Sequence, residues 1–350
     1  MKHFKKKGSG IFEVLFATGQ ILLFGAVLGA ISYIITYLSR KLINKYHVGG
    51  FNILKRNVRS KQQFVELKDG INKSWTNSST TISDLPIIIA TDQEGGSVVR
   101  FNFLDELTSQ NKIVDEAMAY DVAKRRGVEL CAIGVNAVFS PVVDLVTDRS
   151  SYLYGRTFGT TSSEIPILSS AMIKGYKDAG VLAIAKHYPG YGNTILDPHQ
   201  KVVVNGDKGI SFDDMVFVWN ELINLTPPEA IMSAHVTYSD VGNRPATFSD
   251  EVINGVLRNE IGWEGVVITD DIEMGGVGSG EIGELAVEAI NAGNDMIIDT
   301  FNSENHIKIL EALNKAVSVG ALSLERLDEA VTRIIIMKLE MGDCNHNSDL

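Results

Sequence analysis

The sequence predicts an α/β protein with a single catalytic domain of the (β/α)8 barrel type, preceded by an N-terminal transmembrane helix. Three observations lead to this prediction. Short runs rich in Ile, Val and Ala recur without polar alternation, as is typical of parallel strands buried on both faces. Helical patterns separate several of these runs. The length of 350 residues suits one barrel domain.

The predicted strands follow one another at intervals that leave room for a helix between them. In chain order they are GGFNIL (49–54), PIIIAT (86–91), GVNAVFS (134–140), GVLAIAK (180–186), EAIMSAH (229–235), GVVITDD (265–271) and DMIID (295–299). Helices are predicted over 114–129, 163–179 and 305–319. We therefore expect seven to eight strand–helix units over residues 41–342, with a polar tail over 343–350. No Gly-rich phosphate loop follows a strand, which disfavours a nucleotide-binding sheet.

The first forty residues have the pattern of a membrane anchor. A lysine-rich start precedes 25 residues without a charge, from Val14 to Leu38, and about 20 apolar residues cross a bilayer core. No convincing signal-peptide cleavage site is visible. We expect residues 1–40 to form an uncleaved anchor that places the following domain outside the cytoplasm. The alternatives are a buried helix of a cytoplasmic protein and a secreted protein.

Composition excludes several classes of partner. The net charge is −11, and residues 1–45 carry a net charge of +6, so the remaining residues sum to −17 and are unsuited to nucleic acid. Cys131 lies beside an apolar run and is expected in the core, whereas Cys344 lies in the polar tail. Two cysteines provide no disulfide framework or zinc motif. We expect neither a metal nor an organic cofactor.

Polar residues follow most of the predicted strands. A barrel carries its active site at the carboxyl ends of its strands, so these side chains are expected to converge on one pocket. They are Asp92, Asp144, Lys186, His187, His235, Asp270 and Asp271.

Seven segments in order resemble glycoside hydrolase family 3, in its single-domain β-N-acetylglucosaminidase branch. They are TDQEGGSVVRF (91–101), NAVFSPVVDL (136–145), GRTFG (155–159), AKHYPGYGNTILDPH (185–199), IMSAHV (231–236), residues 245–274 and AVEAINAGNDMII (286–298). The resemblance extends from about Leu42 to Met341. It implies hydrolysis of terminal β-linked N-acetylglucosamine from glycans, in particular peptidoglycan fragments of the bacterial cell wall.

The resemblance also implies a retaining double displacement. Asp270 corresponds to the nucleophile, and its neighbour Asp271 is expected on the opposite face of the strand in a supporting role. His199, paired with Asp197 on a Gly/Pro-rich loop, corresponds to the general acid/base. Pro198 departs from the family pattern and could stiffen the loop or displace His199.

Sugar binding is expected from charged side chains that can make directional hydrogen bonds. By resemblance these are Asp92, Arg100, Arg156, Lys186 and His187. A further family arginine is absent, because Ser97 occupies its position. His235 is interpreted as a pocket-wall or structural residue, and Asp144 as a carboxylate that braces the rim.

Other functions remain open at this level. A β-glucosidase or β-xylosidase of the same fold usually draws its acid/base carboxylate from a second domain. A phosphorylase is possible because a histidine acid/base allows phosphate to approach. A membrane-anchored glycan-binding protein without turnover is the alternative from another class.

Overall fold

The computed structural model describes residues 40–78, 84–205, 210–302, 304–342 and 344. They divide into two compact units, which are described separately. The smaller unit lies within Met1–Val48 and Gln62–Asp84, and the larger one consists of Gly49–Lys61 and Leu85–Leu350.

The smaller unit is helical. Residues 40–46 form one helix, and α1 spans Lys61–Thr76. Phe64, Leu67 and Ile71 are buried at a spacing of three and four residues, which defines one apolar face of α1. The span expected from Val14 to Leu38 lies outside the described residues. Among the helices that are described, none has the length and apolar character to cross a membrane.

The larger unit is built around a parallel sheet of seven strands. The strands are β1 (Gly50–Ile53), β2 (Ile88–Thr91), β3 (Ala137–Val138), β4 (Leu182–Tyr188), β6 (Ala230–Ser233), β8 (Val266–Asp271) and β9 (Met296–Ile298). Their order in the sheet is β1-β2-β3-β4-β6-β8-β9. Each strand therefore pairs with the strand of this sheet that comes before it in the chain. The sheet forms a nearly closed barrel. Two further strands, β5 (Val203–Asn205) and β7 (Val236–Tyr238), pair in a separate small sheet.

This arrangement confirms the α/β barrel and all seven predicted strand positions, and its strand number lies within the seven to eight units that the sequence predicts. Within the described residues the barrel has seven strands, and β9 and β1 are not paired. The reason is visible in the sequence after β9, because the chain there forms two helices and supplies no further buried apolar run.

Helices follow most of the strands. They are α2 (Glu116–Ala132), α3 (Ile165–Asp178), α4 (Phe212–Leu225), α5 (Ile282–Asn291), α6 (Asn305–Ser318) and α7 (Leu324–Leu339), with a π-helical segment at Glu251–Glu260. The side chains of Asp115, Ser211 and Ser323 accept backbone N–H groups at the starts of α2, α4 and α7. The three helices predicted from the sequence are confirmed.

Apolar side chains from the strands fill the barrel interior. All seven residues of β4 are buried, as expected for a strand covered on both faces. The core cluster includes Ile88, Phe139, Leu182, Ile184, Met232, Val266, Ile268 and Ile298, with Met337 of α7 packed among them. This packing gives the carboxyl ends of the strands a rigid base.

Asp295, directly before β9, is the centre of a buried ion-pair cluster. Its oxygens lie 2.7 Å from Arg258, 2.7 Å from Arg326 and 3.2 Å from Arg333. They also accept the backbone N–H of Val267 at 3.0 Å. These ion pairs and this hydrogen bond offset the free energy that the buried carboxylate loses when it leaves water. The cluster therefore fixes the start of β9 beside β8 and α7.

Cys131 of α2 and Cys344 form a disulfide, with Cα atoms 5.3 Å apart and 213 residues apart in sequence. Cys131 is buried in the core, as predicted, whereas its bond to Cys344 was not predicted. The pairing of a helix residue with the polar tail depends on tertiary contact, and sequence spacing carries no sign of it.

Candidate active site

A cavity of about 460 Å³ lies at the carboxyl ends of the barrel strands. This is the position in which barrel enzymes carry their active sites. The predicted site residues that line it are Asp92, Arg100, Arg156, Lys186, His187, His199, Asp270 and Asp271. Three others are not among the lining residues but contact residues that are: Asp144 contacts His187, Asp197 contacts His199, and His235 contacts Asp271.

Asp270 is the penultimate residue of β8. The four residues before it are buried, and Asp270 itself is half-buried at the cavity wall. The backbone N–H of Asp271 donates to Asp270 Oδ1 at 2.8 Å. A packed strand therefore fixes the carboxylate at the edge of the cavity, as a nucleophile requires.

Asp271, the last residue of β8, also belongs to the residues that line the cavity. The pairing between β8 and β9 is irregular between Ile268 and Asp271. Thr300 Oγ1 and the backbone N–H of Glu273 donate to its carboxylate. Burial raises the pKa of Asp271 to about 6.

His199 and Asp197 form the expected pair on the loop after β4. His199 Nδ1 lies 2.7 Å from Asp197 Oδ1, which leaves Nε2 available. His199 is half-exposed, with 54% of its side chain accessible, yet it lines the cavity that contains Asp270. Burial would raise the pKa of Asp197, but hydrogen bonds and the charge of His199 outweigh burial and lower it. The carboxylate is thus suited to orient an imidazole and to stabilise its protonated form.

The loop that carries His199 is attached to the turn after β8. Gly276 N–H donates to the carbonyl of Pro198 at 2.7 Å, and Gly275 N–H donates to that of His199 at 3.2 Å. A Cβ atom added to Gly276 would lie 2.9 Å from Pro198 O and 3.0 Å from His235 Cβ. The close backbone approach therefore depends on glycine at this position. These contacts connect the loop that carries His199 to the strand that carries Asp270.

Four charged side chains form a buried network on another side of the cavity. Lys186 Nζ lies 2.7 Å from Asp92 Oδ1 and 2.6 Å from Glu94 Oε1. Arg156 binds both oxygens of Glu94, at 2.8 and 2.9 Å. The side chains of Lys186 and Glu94 are each only 2% exposed. Such a network holds its donors and acceptors in a fixed arrangement, which suits it to bind a polar ligand without rearrangement.

The charge balance of this network explains why its carboxyl groups stay ionised. Burial alone would raise the pKa of Glu94, but Arg156 and Lys186 hold it well below its usual value. Burial also opposes ionisation of Asp92, and Lys186 and Arg100 lower its pKa on balance. Arg100 Nη2 lies 3.0 Å from Asp92 Oδ2. Arg100 therefore joins the network at its more exposed edge.

His187 follows Lys186, and both line the cavity although they are neighbours in β4. The register of β4 against β6 shifts between Lys186 and Tyr188, and such irregularities re-aim side chains. Asp144 Oδ2 lies 2.7 Å from His187 Nδ1 and also accepts the His187 backbone N–H. Asp144 Oδ1 accepts the N–H of Tyr191 at 2.7 Å. Asp144 thus orients His187, which agrees with the bracing role predicted for it.

His235 is fully buried and does not line the cavity. Its Nε2 lies 3.0 Å from the carbonyl of Asp271, and its ring stacks on Phe248 with centroids 6.1 Å apart. Burial lowers the pKa of His235. A neutral imidazole that donates to this carbonyl supports the end of β8 from behind, which fits the structural interpretation.

Sequence reasoning missed Glu94, Tyr152 and Tyr191. Glu94 stands two residues after Asp92, and the buried Lys186 and Arg156 require a further countercharge. Tyr152 accepts a hydrogen bond from Arg156 at 3.2 Å. Tyr191 packs edge-on against His187 and accepts the N–H of His235. The roles of the two tyrosines follow from tertiary contacts that no local pattern shows.

Asp271, Glu273 and Asp299 form the one acidic group, within the described ranges, close enough to share a metal ion, since their ligand atoms lie within 4.8 Å. Several donors already serve these carboxyl groups. Phe301 and Asn302 donate backbone N–H groups to Glu273 Oε2, and His306 Nδ1 lies 2.6 Å from Asp299. The group thereby holds the chain that follows β9.

Comparison with known proteins identifies the family. Residues 25–337 match the glycosyl hydrolase family 3 N terminal domain. The beta-hexosaminidase of Methylobacillus flagellatus is 34% identical over 294 residues, which cover 80% of each chain. Beta-hexosaminidase A of Pseudoalteromonas piscicida is 29% identical over 331 residues, covering 86% of this chain and 55% of that protein. The chain thus spans about half the length of the latter relative.

Solved structures agree. A glycoside hydrolase family 3 beta-N-acetylglucosaminidase from Paenibacillus sp. str. FPU-7 superposes with a TM-score of 0.80 and 33% sequence identity. The match covers 89% of this chain and 60% of that one. The sequence match and the barrel with its strand-end cavity lead to the same conclusion. The chain belongs to glycosyl hydrolase family 3.

Proposed function

We propose that this protein hydrolyses terminal β-linked N-acetylglucosamine from glycans, including peptidoglycan fragments, with retention of configuration. One observation carries the proposal. Asp270 on its rigid strand and His199 on its loop line a single cavity, beside the buried network of Asp92, Glu94, Lys186 and Arg156. The names of the hexosaminidase relatives support the choice of sugar.

In the first step, a carboxylate oxygen of Asp270 attacks the anomeric carbon. The bond to the leaving oxygen breaks, and protonated His199 gives that oxygen a proton from Nε2. Asp197 accepts the Nδ1 proton in a hydrogen bond and stabilises the imidazolium before transfer. The products of this step are the free aglycone and a glycosyl ester of Asp270.

In the second step, neutral His199 removes a proton from water. The resulting hydroxide attacks the same carbon from the side that the aglycone left, and Asp270 departs as a carboxylate. Two inversions give net retention. The ion-pair network holds the sugar in both steps, so its prearranged charges reduce the entropy lost at each transition state.

Aryl β-glycosides that differ only in the sugar test this proposal. We expect kcat/KM for the N-acetylglucosaminide to exceed that for the glucoside and xyloside by roughly tenfold or more. Proton NMR of the first product should show the β-anomer. Preference for the glucoside, or an α-anomer as first product, would contradict the proposal. Glycan binding without sugar release would favour a non-catalytic role, and a sugar phosphate formed with added phosphate would favour phosphorolysis.

The proposed location is outside the cytoplasm, attached to a membrane through residues 1–40. The uncharged stretch after the lysines supports it, as does the Cys131–Cys344 disulfide, since disulfides persist mainly in oxidising compartments. In cell fractionation we expect the full-length chain in the membrane fraction, accessible to protease added from outside. Recovery in the soluble fraction after lysis would count against the anchor.

A further inference from the structure

Three carboxyl groups meet where the end of β8 lies beside the chain that follows β9. Asp271 is the last residue of β8, Glu273 stands two residues later, and Asp299 directly follows β9. Oxygen atoms from all three lie within 4.8 Å of one another. Asp271 is 8% exposed, the Asp299 side chain is 5% exposed, and Glu273 is half-buried. Two of the three groups are therefore largely removed from water.

These carboxyl groups lack the Lys and Arg partners that neutralise buried acids elsewhere in this protein. Asp295 binds three arginines, and Glu94 binds a lysine and an arginine. For the group at the end of β8, the described part of the chain offers one ion-pair partner, His306, which contacts Asp299. Like charges this close repel each other in a buried site unless a proton or a cation lies between them.

Arg56 reaches the chain after β9 without neutralising this group. Its Nη2 donates to the carbonyl of Thr300, and its guanidinium lies 5.5 Å from the centre of the Phe301 ring. Arg56 thus binds a carbonyl and an aromatic ring, and the negative charge of the three acids is left for another cation to balance.

One oxygen of Asp299 is without a hydrogen-bond partner. Asp299 Oδ2 lies 2.6 Å from His306 Nδ1, but the buried Oδ1 accepts no hydrogen bond within the described ranges. The carboxyl groups of Asp299 and Glu273 lie within reach of each other, and burial together with Glu273 raises the pKa of Asp299. A buried carboxylate oxygen left in this state is costly in free energy. It indicates that Oδ1 faces the position of a ligand.

The other carboxylates are oriented by hydrogen bonds and still have free lone pairs. Asp271 accepts the backbone N–H of Glu273 at one oxygen and Thr300 Oγ1 at the other. Asn305 Nδ2 donates to Glu273 Oε1. A carboxylate oxygen has two lone pairs, so each of these atoms can coordinate an ion in addition. The hydrogen bonds hold the oxygens in place, as partners of metal ligands do.

The spacing of the oxygens favours calcium over a smaller ion. Two ligands on opposite sides of a calcium ion lie about 5 Å apart, since each Ca–O distance is about 2.3–2.6 Å. Magnesium brings opposite ligands to about 4 Å and demands a near-ideal octahedron. Oxygens within 4.8 Å of one another, on an irregular strand end, therefore suit the larger ion with its flexible geometry.

We propose that Asp271, Glu273 and Asp299 bind a calcium ion that joins the end of β8 to the chain after β9. Water from the cavity, which Asp271 lines, completes the coordination. The ion reinforces a junction where strand pairing is irregular. None of its three ligands has a role in the reaction proposed for Asp270, so the site is independent of that reaction. No metal was expected from the sequence, since Asp299 joins the other two acids only in the folded chain.

Calcium binding to the full-length chain, first freed of divalent ions with a chelator, tests this site. Isothermal titration calorimetry with calcium chloride should show one ion per chain for wild type. Asp299→Asn and Glu273→Gln should each weaken binding about tenfold or more, because each removes one charged ligand. The exposed Glu311→Gln on α6 is the matched control and should bind calcium as wild type does. Magnesium chloride should bind wild type about tenfold more weakly than calcium.

Thermal unfolding provides a second measurement on the same four proteins. Excess calcium should raise the melting temperatures of wild type and Glu311→Gln, because an ion that binds only the folded chain stabilises it. The melting temperatures of Asp299→Asn and Glu273→Gln should stay unchanged. Absence of calcium binding by folded wild type would overturn the site. Equal responses to calcium in all four proteins, or equal responses of wild type to calcium and magnesium, would overturn it as well, since they indicate screening of surface charge.

Discussion

Replacing Asp270 with alanine is expected to lower kcat/KM for an aryl N-acetyl-β-glucosaminide by about 10³-fold or more. The substitution removes the oxygen that forms the glycosyl ester in the proposed mechanism, and the neighbouring Asp271 is held by Thr300 and Glu273. Initial rates for wild type and variant at equal concentration measure the effect. The melting temperature should change little, because Asp270 is only half-buried and its one described hydrogen bond is local.

Asp271→Asn is the matched control for this prediction, since it alters the adjacent carboxyl group and keeps Asp270. Its loss of activity should be much smaller. A mechanism-based fluorosugar should label wild type on the peptide that contains Asp270, detected by mass spectrometry after digestion. Near-normal turnover by Asp270→Ala, or a label on another residue, would refute the assignment of the nucleophile.

His199→Ala is expected to lose activity in proportion to how much the leaving group needs a proton. For a poor leaving group such as an alkyl or sugar alcohol, the loss should reach about 10²- to 10⁴-fold, the usual contribution of a general acid. For an activated nitrophenol, the first step needs little proton transfer, so the loss should be much smaller. The measurement is a plot of log kcat/KM against leaving-group acidity for wild type and for His199→Ala. We expect a steeper slope for the variant.

Asp197→Asn provides the companion variant, because it keeps the size of the side chain and removes the charge that stabilises protonated His199. We expect an intermediate loss with the same dependence on leaving group. Equal losses across all leaving groups would mean that His199 positions the substrate and does not protonate it.

The strands were predictable because burial on both faces leaves a local mark in the sequence. Runs such as PIIIAT and GVVITDD correspond directly to β2 and β8. The number of strands was less predictable, since closure of the barrel depends on whether a last segment pairs with β1.

The candidate site was partly predictable for the same reason. Strand ends are visible in the sequence, so Asp92, Lys186 and Asp270 could be placed on one rim before the fold was known. Glu94 needed knowledge of which cations are buried beside it. The contact between Arg56 and Phe301 joins residues that are distant in sequence, and no periodicity indicates it.

The Cys131–Cys344 disulfide is expected to keep the protein assembled after limited proteolysis. The closed loop of chain between the two cysteines includes β3 to β9 and therefore both His199 and Asp270. A protease cuts first at exposed loop tips, and one cut inside this loop leaves two fragments that are still covalently joined. The fragments cannot diffuse apart, so the paired strands keep His199 and Asp270 together after a single nick.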